Sequence, residues 1–319
     1  MMDKYERVTV YNEDNIKNAA RGLHGGCVVT VGSFDGVHIG HRVLLRALAG
    51  AAAESGLPAV AVTFAGNDRP KSQQKLLAQE EKKRALLFSL GVDRIIELPY
   101  SAVKDISARD FALDTLAGDL RCKHAVCGYD FRFGRGRRGD TGTLSRVLSE
   151  RGVPVTVCPP AEYCGAPVSS TRIRSAIAAG EAETARAMLG RPFSFVTVIE
   201  KGMRVASRLG VPTANQKFPA ELAQPAYGVY AAECVIGGKK YRGVLNFGIK
   251  PTFGGFAEPV CETHLFGFSG DIYGMECEVF FLRFLRAEQK FGSESELQSA
   301  ILRDIAAAKA FFGMEDETQ

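Results

Sequence analysis

Two histidines, His38 and His41, stand in "TVGSFDGVHIGHRVLL" (30–45), in a glycine-punctuated turn between an apolar run and a helix-like one. A turn of that kind aims backbone N–H groups and the positive end of the following helix at one point, which suits an anion. Gly36 and Gly40 let backbone and ligand approach closely, and the imidazoles on the first helical turn add hydrogen-bond donors for phosphate oxygens. Attack of a phosphate on the α-phosphorus of a nucleoside triphosphate needs alignment and charge neutralisation, not a covalent intermediate, so donors suffice. An isolated histidine is more often a local cap or packing residue; the whole string G-x-F-D-G-x-H-x-G-H, set between strand and helix, points to the chemistry.

Two other stretches are cationic. "GYDFRFGRGRRGD" (128–140) packs Arg132, Arg135, Arg137 and Arg138 among Gly134, Gly136 and Gly139, which reads as a mobile cationic lid for a phosphate or an RNA backbone. As an RNA-binding segment it is too short. In "VSSTRIRSAIAAGEAETARAMLGRPF" (168–193) the hydroxyls of Ser169, Ser170 and Thr171 stand at a helix start with Arg172 and Arg174 just inside. A plain cap would use one serine, and the helix dipole disfavours arginines there unless an anion sits between them.

The elements that must hold these residues follow from periodicity. From residue 27 to about 190, short apolar runs alternate with helical segments: "CVVTVG", "AVAVTF", "DRIIELP", "HAVCG" and "VPVTVC" are the strands. That alternation predicts an α/β unit, a doubly wound parallel sheet with helices on both faces and ligands at the carboxyl ends of its strands. After "LGRPFSF" (189–195) strands follow one another, with Gly237-Gly238 as a hairpin turn and one long helix at 293–312. An antiparallel β-barrel with a terminal helix is expected there, joined to the first domain near residues 186–194.

Bulk properties exclude several classes. The 319 residues suit about two domains. With 46% hydrophobic and 24% charged residues the chain can bury ordinary cores. A formal net charge of +4 is too small for a nucleic-acid coat, so no nucleic-acid partner is expected. Eight cysteines without a C-x-x-C pair read as reduced, packed thiols. The amino terminus lacks a signal-like apolar core and no segment reaches 18 continuous apolar residues, so a cytoplasmic protein with no membrane partner is expected.

"GSFDGVHIGH" resembles the adenylyltransferase signature of the bacterial bifunctional riboflavin kinase/FAD synthetase family, and the 128–140 and 168–193 stretches match that family as well. The resemblance implies a nucleotidylyltransferase-like FAD synthetase domain over 1–188 that adenylates FMN, and a riboflavin kinase domain over 189–319. It implies His38 and His41 as catalytic groups. It assigns Gly32, Phe34, Asp35, Gly36, Gly40, Ser169, Ser170, Thr171, Arg172 and Arg174 to ATP, and Asn67, Asp130, Phe131 and Arg132 to the flavin. In the second half "RLGVPTANQKFP" (208–219) resembles the family's P-T-A-N motif, which is otherwise only a turn. There Gly210, Pro212, Thr213 and Asn215 are assigned to ATP, with Thr213 and Asn215 also holding Mg²⁺ through neutral oxygens. Glu262, in "ETHLFGFSGDIYG", is the expected general base, and Arg286 is assigned to the flavin, either in an ion pair with Glu288 that shapes the pocket or with that pair a surface one worth little. The implied small-molecule set is ATP, riboflavin, FMN and FAD, and a transient homo-oligomer is compatible with the sequence.

The chain departs from the family pattern at four places. Ala65-Gly66-Asn67-Asp68 replaces a Pro-His-Pro, Ala206-Ser207 displaces Arg208 by one residue, Lys250 replaces an arginine, and Gly267 replaces an aspartate. An added Cβ at 206 and a shifted guanidinium predict weaker ATP binding in the kinase half. An FAD synthetase with a flavin-binding but feebly active barrel is therefore the second expectation, and a flavin-sensing or RNA-binding regulator the third.

Overall fold

The computed structural model describes residues 8–10, 23–64, 75–201, 211–251 and 257–314. The chain divides into two compact units, Met1–Gln74 with Glu80–Ser169, and Lys75–Gln79 with Ser170–Gln319.

In the first unit the apolar runs become β1 (Val8–Val10), β2 (Cys27–Val31), β3 (Ala59–Phe64), β4 (Arg94–Leu98), β5 (Cys122–Gly128) and β6 (Val155–Cys158). They form one sheet in the order β1-β4-β3-β2-β5-β6 with every neighbouring pair parallel. The order reverses at β2, whose neighbours are β3 on one side and β5 on the other, so the crevice beyond the carboxyl ends of β2 and β5 is the place where two loops part and a ligand fits. Helices α1 (Ile39–Ser55), α2 (Glu80–Ser89), α3 (Tyr100–Val103), α4 (Ala108–Asp110) and α5 (Thr141–Ser149) cover it, α4 running on as a π-helical stretch Phe111–Asp119.

Continuous apolar strands result because both faces are covered. Val28 packs with Leu44, Leu45, Leu48 and Leu87 on one side, while Val29 and Val31 pack with Phe111, Leu116 and Leu144 on the other. Gly56 closes α1 at φ 67, and Ser107 caps α4 by accepting the Asp110 N–H. A small hairpin, β7 (Glu162–Tyr163) and β8 (Ala166–Pro167), leads into Val168.

The second unit contains α6 (Ser170–Ala178), α7 (Ala182–Leu189), β9 (Phe193–Val198), β10 (Ala214–Lys217), β11 (Gly228–Ile236), β12 (Lys239–Pro251), β13 (Ala257–Leu265), β14 (Glu276–Ala287) and α8 (Glu294–Phe311). Its strands pair antiparallel in the order β10-β13-β12-β11-β14-β9. The sheet curls until its edges meet, where Glu200 N–H donates to the Asn215 carbonyl at 2.8 Å. The result is a half-barrel whose interior holds Tyr230, Phe195, Phe247 and Phe281. Alternation sends the other face of β11, β12 and β13 outward, where α8 covers it through Ala308 against Val229, Ala231 and Val244. Gly237 and Gly238 take φ 55 and 78 at the hairpin turn, as expected.

Candidate active sites

Beyond β2 the backbone is bent to place one side chain. A Cβ on Gly32 would lie 3.1 Å from the buried Phe34 ring, a contact tight enough that the ring would have to shift by a few tenths of an ångström. Phe34 (φ 48) and Val37 (φ 42) both adopt left-handed conformations and both are fully buried. Non-glycine residues there cost about 1–3 kcal/mol each, and burial of the two side chains offsets it. The turn Asp35–Val37 then delivers His38 to the N-cap of α1, where its carbonyl accepts the Arg42 N–H at 3.0 Å. Asp35 is buried within that turn.

His38 Nδ1 accepts the backbone N–H of His41 at 3.4 Å. In the neutral ring this places the proton on Nε2, a donor. The His41 ring stacks on His38 at 3.7 Å and 16°, and meets Phe34 edge-on at 5.4 Å. Burial, and secondarily the neighbouring His38, hold the His41 imidazole well below its ordinary 6.5, so it is neutral at physiological pH. His41 Nδ1 and Arg42 Nε are buried without a hydrogen-bond partner among the described residues. Buried polar atoms are ordinarily paired, so these two stand out at the start of α1. Gly40 is confined too: a Cβ would stand 3.1 Å from His38 Cε1 and 3.8 Å from the carbonyl oxygen of Val168, the residue before Ser169.

Asp130, Phe131 and Arg132 follow β5, the neighbour of β2, so they open on the same crevice. Phe131 stacks on Phe133 at 5.2 Å, while Arg132 meets Asp140 at 3.3 Å in an exposed pair worth little. The arginine loop departs from the expected mobile lid. Its neck is closed by a Phe133–Gly139 bridge, Arg135 N–H donates to Ile106 O at 2.7 Å, and a Cβ on Gly134 would meet Ala108 at 2.6 Å. Gly134 and Gly139 serve close packing, Gly136 serves a turn at φ 64, and Arg135, Arg137 and Arg138 project into solvent from an anchored turn. Asn67 lies outside the described residues. Ser170, Thr171, Arg172 and Arg174 form the start of α6, in the second unit; the Arg174 guanidinium donates to Lys75 O at 2.7 Å.

The second unit has its own cavity of about 250 Å³, between the outward face of the half-barrel and α8. Thr213, Glu262 and Arg286 line it, together with three residues that the sequence reading did not assign: Asn246, His264 and Asp304. Registration explains the grouping, because Glu262 on β13 stands opposite Asn215 on β10 and opposite Asn246 on β12. Asn215 Nδ2 donates to Thr213 O at 3.1 Å and to its Oγ1 at 3.3 Å, tying the P-T-A-N residues together. Asn215 lies in strand β10 (Ala214–Lys217) and is buried, where the motif alone reads as a turn.

Arg286 does not pair with Glu288. Its Nε and Nη2 donate to both oxygens of Asp304 on α8, at 2.8 and 2.7 Å, because a planar guanidinium matches a carboxylate that the helix presents across the cavity. Glu288 lies instead against the β12 backbone, where a Cβ on Gly248 would be 2.5 Å from its Oε1. Gly210 and the 206–208 stretch lie outside the described residues; Pro212 is reached by His264, whose Nδ1 is 2.9 Å from its carbonyl oxygen.

A glycine-shaped helix start at the switch point of a parallel sheet and a half-barrel with a carboxylate-bearing cavity suit a nucleotidyltransferase and a small-molecule kinase, and the family matches show that class. Residues 21–172 match the FAD synthetase family and residues 189–312 the riboflavin kinase family. The bifunctional riboflavin kinase/FMN adenylyltransferase of Pseudomonas fluorescens is 37% identical over 91% of this chain and 96% of its own length. That of Escherichia coli K12 is 34% identical over 94% and 97%. The chain belongs to the bifunctional riboflavin kinase/FMN adenylyltransferase family. A crystal structure described as a macrolide-efflux protein from Streptococcus pneumoniae superposes with TM-score 0.83 at 30% identity, covering 93% of this chain and 97% of that one. Among the described residues no helix is long and apolar enough to cross a membrane.

Proposed function

We propose that this chain makes FAD from riboflavin in two steps, phosphorylation to FMN in the barrel (189–319) and adenylation of FMN in the N-terminal domain (1–188). The observation that carries the second step is the capping bond of His38, which leaves Nε2–H as a donor beside the unpartnered polar atoms at the start of α1. An FMN phosphate oxygen attacks the α-phosphorus of ATP, the bond to the bridging oxygen breaks, and pyrophosphate leaves. His38 and His41 hydrogen-bond the triphosphate oxygens on which charge grows, and the α1 N-terminus adds its dipole. By sequence motif, Gly32, Phe34, Asp35, Gly36, Gly40 and the Ser169–Arg174 stretch serve ATP, and Asn67, Asp130, Phe131 and Arg132 serve the flavin.

In the barrel, Glu262 accepts the proton of the ribityl terminal hydroxyl as its oxygen attacks the γ-phosphorus, and ADP departs. Arg286, fixed by Asp304, forms the flavin side of the cavity. Gly210, Pro212, Thr213 and Asn215 serve the nucleotide. Thr213 and Asn215 would hold Mg²⁺, which when bound neutralises phosphate charge. The partners are the small-molecule substrates, with a transient homo-oligomer compatible with the sequence, and the compartment is the cytoplasm.

The test supplies the purified chain with ATP and Mg²⁺ plus either riboflavin or FMN, and separates flavins by chromatography. FMN then FAD should appear from riboflavin, and FAD from FMN; failure to convert FMN refutes the first domain's role, and failure to convert riboflavin the second's.

A further inference from the structure

The barrel cavity contains an imidazole with no task in the scheme above. His264 lies two residues after Glu262 on β13, hence on the same face, and lines the cavity with it. Its Nδ1 is 2.9 Å from the Pro212 carbonyl oxygen. A carbonyl only accepts, so Nδ1 carries the proton whether the ring is neutral or charged. The ring edge also packs against Phe266, with centroids 5.8 Å apart.

This bond falls where the backbone ladder ends. The last rung between β10 and β13 joins Ala214 to Thr263, so Pro212 and Thr213 lie beyond it. A side chain of β13 takes over from the backbone of β13 and holds the Pro212 carbonyl. From the other side Asn215 Nδ2 grips Thr213 O and Oγ1. Thr213 is thereby fixed at both ends, by His264 of β13 and Asn215 of β10, and the β13 grip comes from the strand that also carries Glu262.

We propose that His264 is a positioning residue of the phosphorylation site: its Nδ1–H bond to the Pro212 carbonyl fixes the place at which Thr213 presents its hydroxyl to the nucleotide phosphates. The proposal rests on the assignment of Thr213 to the nucleotide. His264 acts on nucleotide affinity through the turn, and flavin binding does not depend on it.

The experiment uses the full chain and the variants His264→Ala, His264→Asn and Thr213→Ala. ADP is titrated calorimetrically with Mg²⁺ present, and the heat that Thr213→Ala removes identifies the barrel site; riboflavin binding, followed by fluorescence quenching, reports an intact barrel. His264→Ala should weaken ADP binding at that site, and raise the ATP KM for FMN formation, about three- to tenfold, the worth of one neutral hydrogen bond. Riboflavin affinity should stay within about twofold, since it loses no bond. His264→Asn should restore the parental values, because the asparagine Nδ2 falls where the imidazole Nδ1 was. Parental ADP affinity in His264→Ala, or no rescue by asparagine in a chain that still binds riboflavin, overturns the proposal. If His264→Ala loses riboflavin binding altogether, His264→Asn alone decides, on the same criteria. If Thr213→Ala removes no heat, the nucleotide assignment fails instead, a result distinct from failure of His264 alone.

Discussion

Gly40→Ala should impair FAD formation without unfolding the protein. The new Cβ would stand 3.1 Å from His38 Cε1 and 3.2 Å from Nδ1. Carbon contacts relax at about 3.5–4.0 Å, so the ring must retreat by roughly 0.4 Å. The capping bond, already 3.4 Å long, breaks in that retreat, and with it the constraint that keeps the Nε2 proton in place. Deleting a preorganised donor lowers kcat about 10²–10³-fold, so a donor displaced but present should lower it about 10–10²-fold. Stability should change by less than about 1 kcal/mol, because the lost cap is offset by the better helix propensity of alanine. The assay is steady-state conversion of FMN to FAD for the parent, Gly40→Ala, His38→Ala and the double variant. If the methyl group acts through His38, adding it to His38→Ala changes nothing further. A loss of the same size in both backgrounds refutes the reasoning and places the effect in direct ATP approach.

Three other outcomes follow from the same contacts. Glu97 is buried at 2% exposure and takes both bonds of its guanidinium partner Arg84 at 2.8 and 2.7 Å, so Arg84→Met should cost about 2–3 kcal/mol in urea unfolding; a loss under about 1 kcal/mol would contradict it. Because the folded His41 ring is held well below 6.5 while the unfolded one is not, the unfolded chain alone takes up a proton as pH falls under that value. Stability should therefore decline below pH 6.5, by up to about 1.4 kcal/mol per unit, and His41→Gln should lack that component; parallel curves for the two proteins from pH 7.5 to 5.5 would exclude it. All eight cysteines are free and only Cys164 is exposed, while burial pushes the Cys122 thiol up to about 12 and Cys127 to about 11, so a thiol reagent should titrate one group in the native protein and eight after denaturation; more than one fast native thiol would show that the strands open.

Much of this architecture is legible in the sequence, for identifiable reasons. Strands buried on both faces must read as nearly unbroken apolar runs, and the central β2 and β3 do. The histidine motif also announces its own position, because glycines between a strand and a helix have few other uses. Where the sequence misleads, tertiary partners decide. Arg286 finds Asp304, eighteen residues away, because α8 folds back over the sheet; near neighbours such as Glu288 are only candidates until that packing is known. Asn215 reads as part of a turn, yet β13 offers an edge that draws it into a strand. Gly134 and Gly139 read as flexibility but serve contact with Ala108. His264 was accessible to simple alternation from Glu262, since residues two apart on a strand share a face. Helix α7 (Ala182–Leu189) runs into the junction expected near residues 186–194, a stretch that short apolar spacing alone does not distinguish from a connection.

The central claim is that two separate sites act in series, with FMN as the product of one and the substrate of the other. It is tested most directly by giving His38→Ala riboflavin, ATP and Mg²⁺ and following FMN and FAD by chromatography, with Glu262→Gln run alongside on riboflavin and on FMN. His38→Ala should accumulate FMN with FAD formation reduced about 10²-fold or more, and Glu262→Gln should convert supplied FMN to FAD while failing on riboflavin. FAD appearing from His38→Ala at the parental rate would contradict the account.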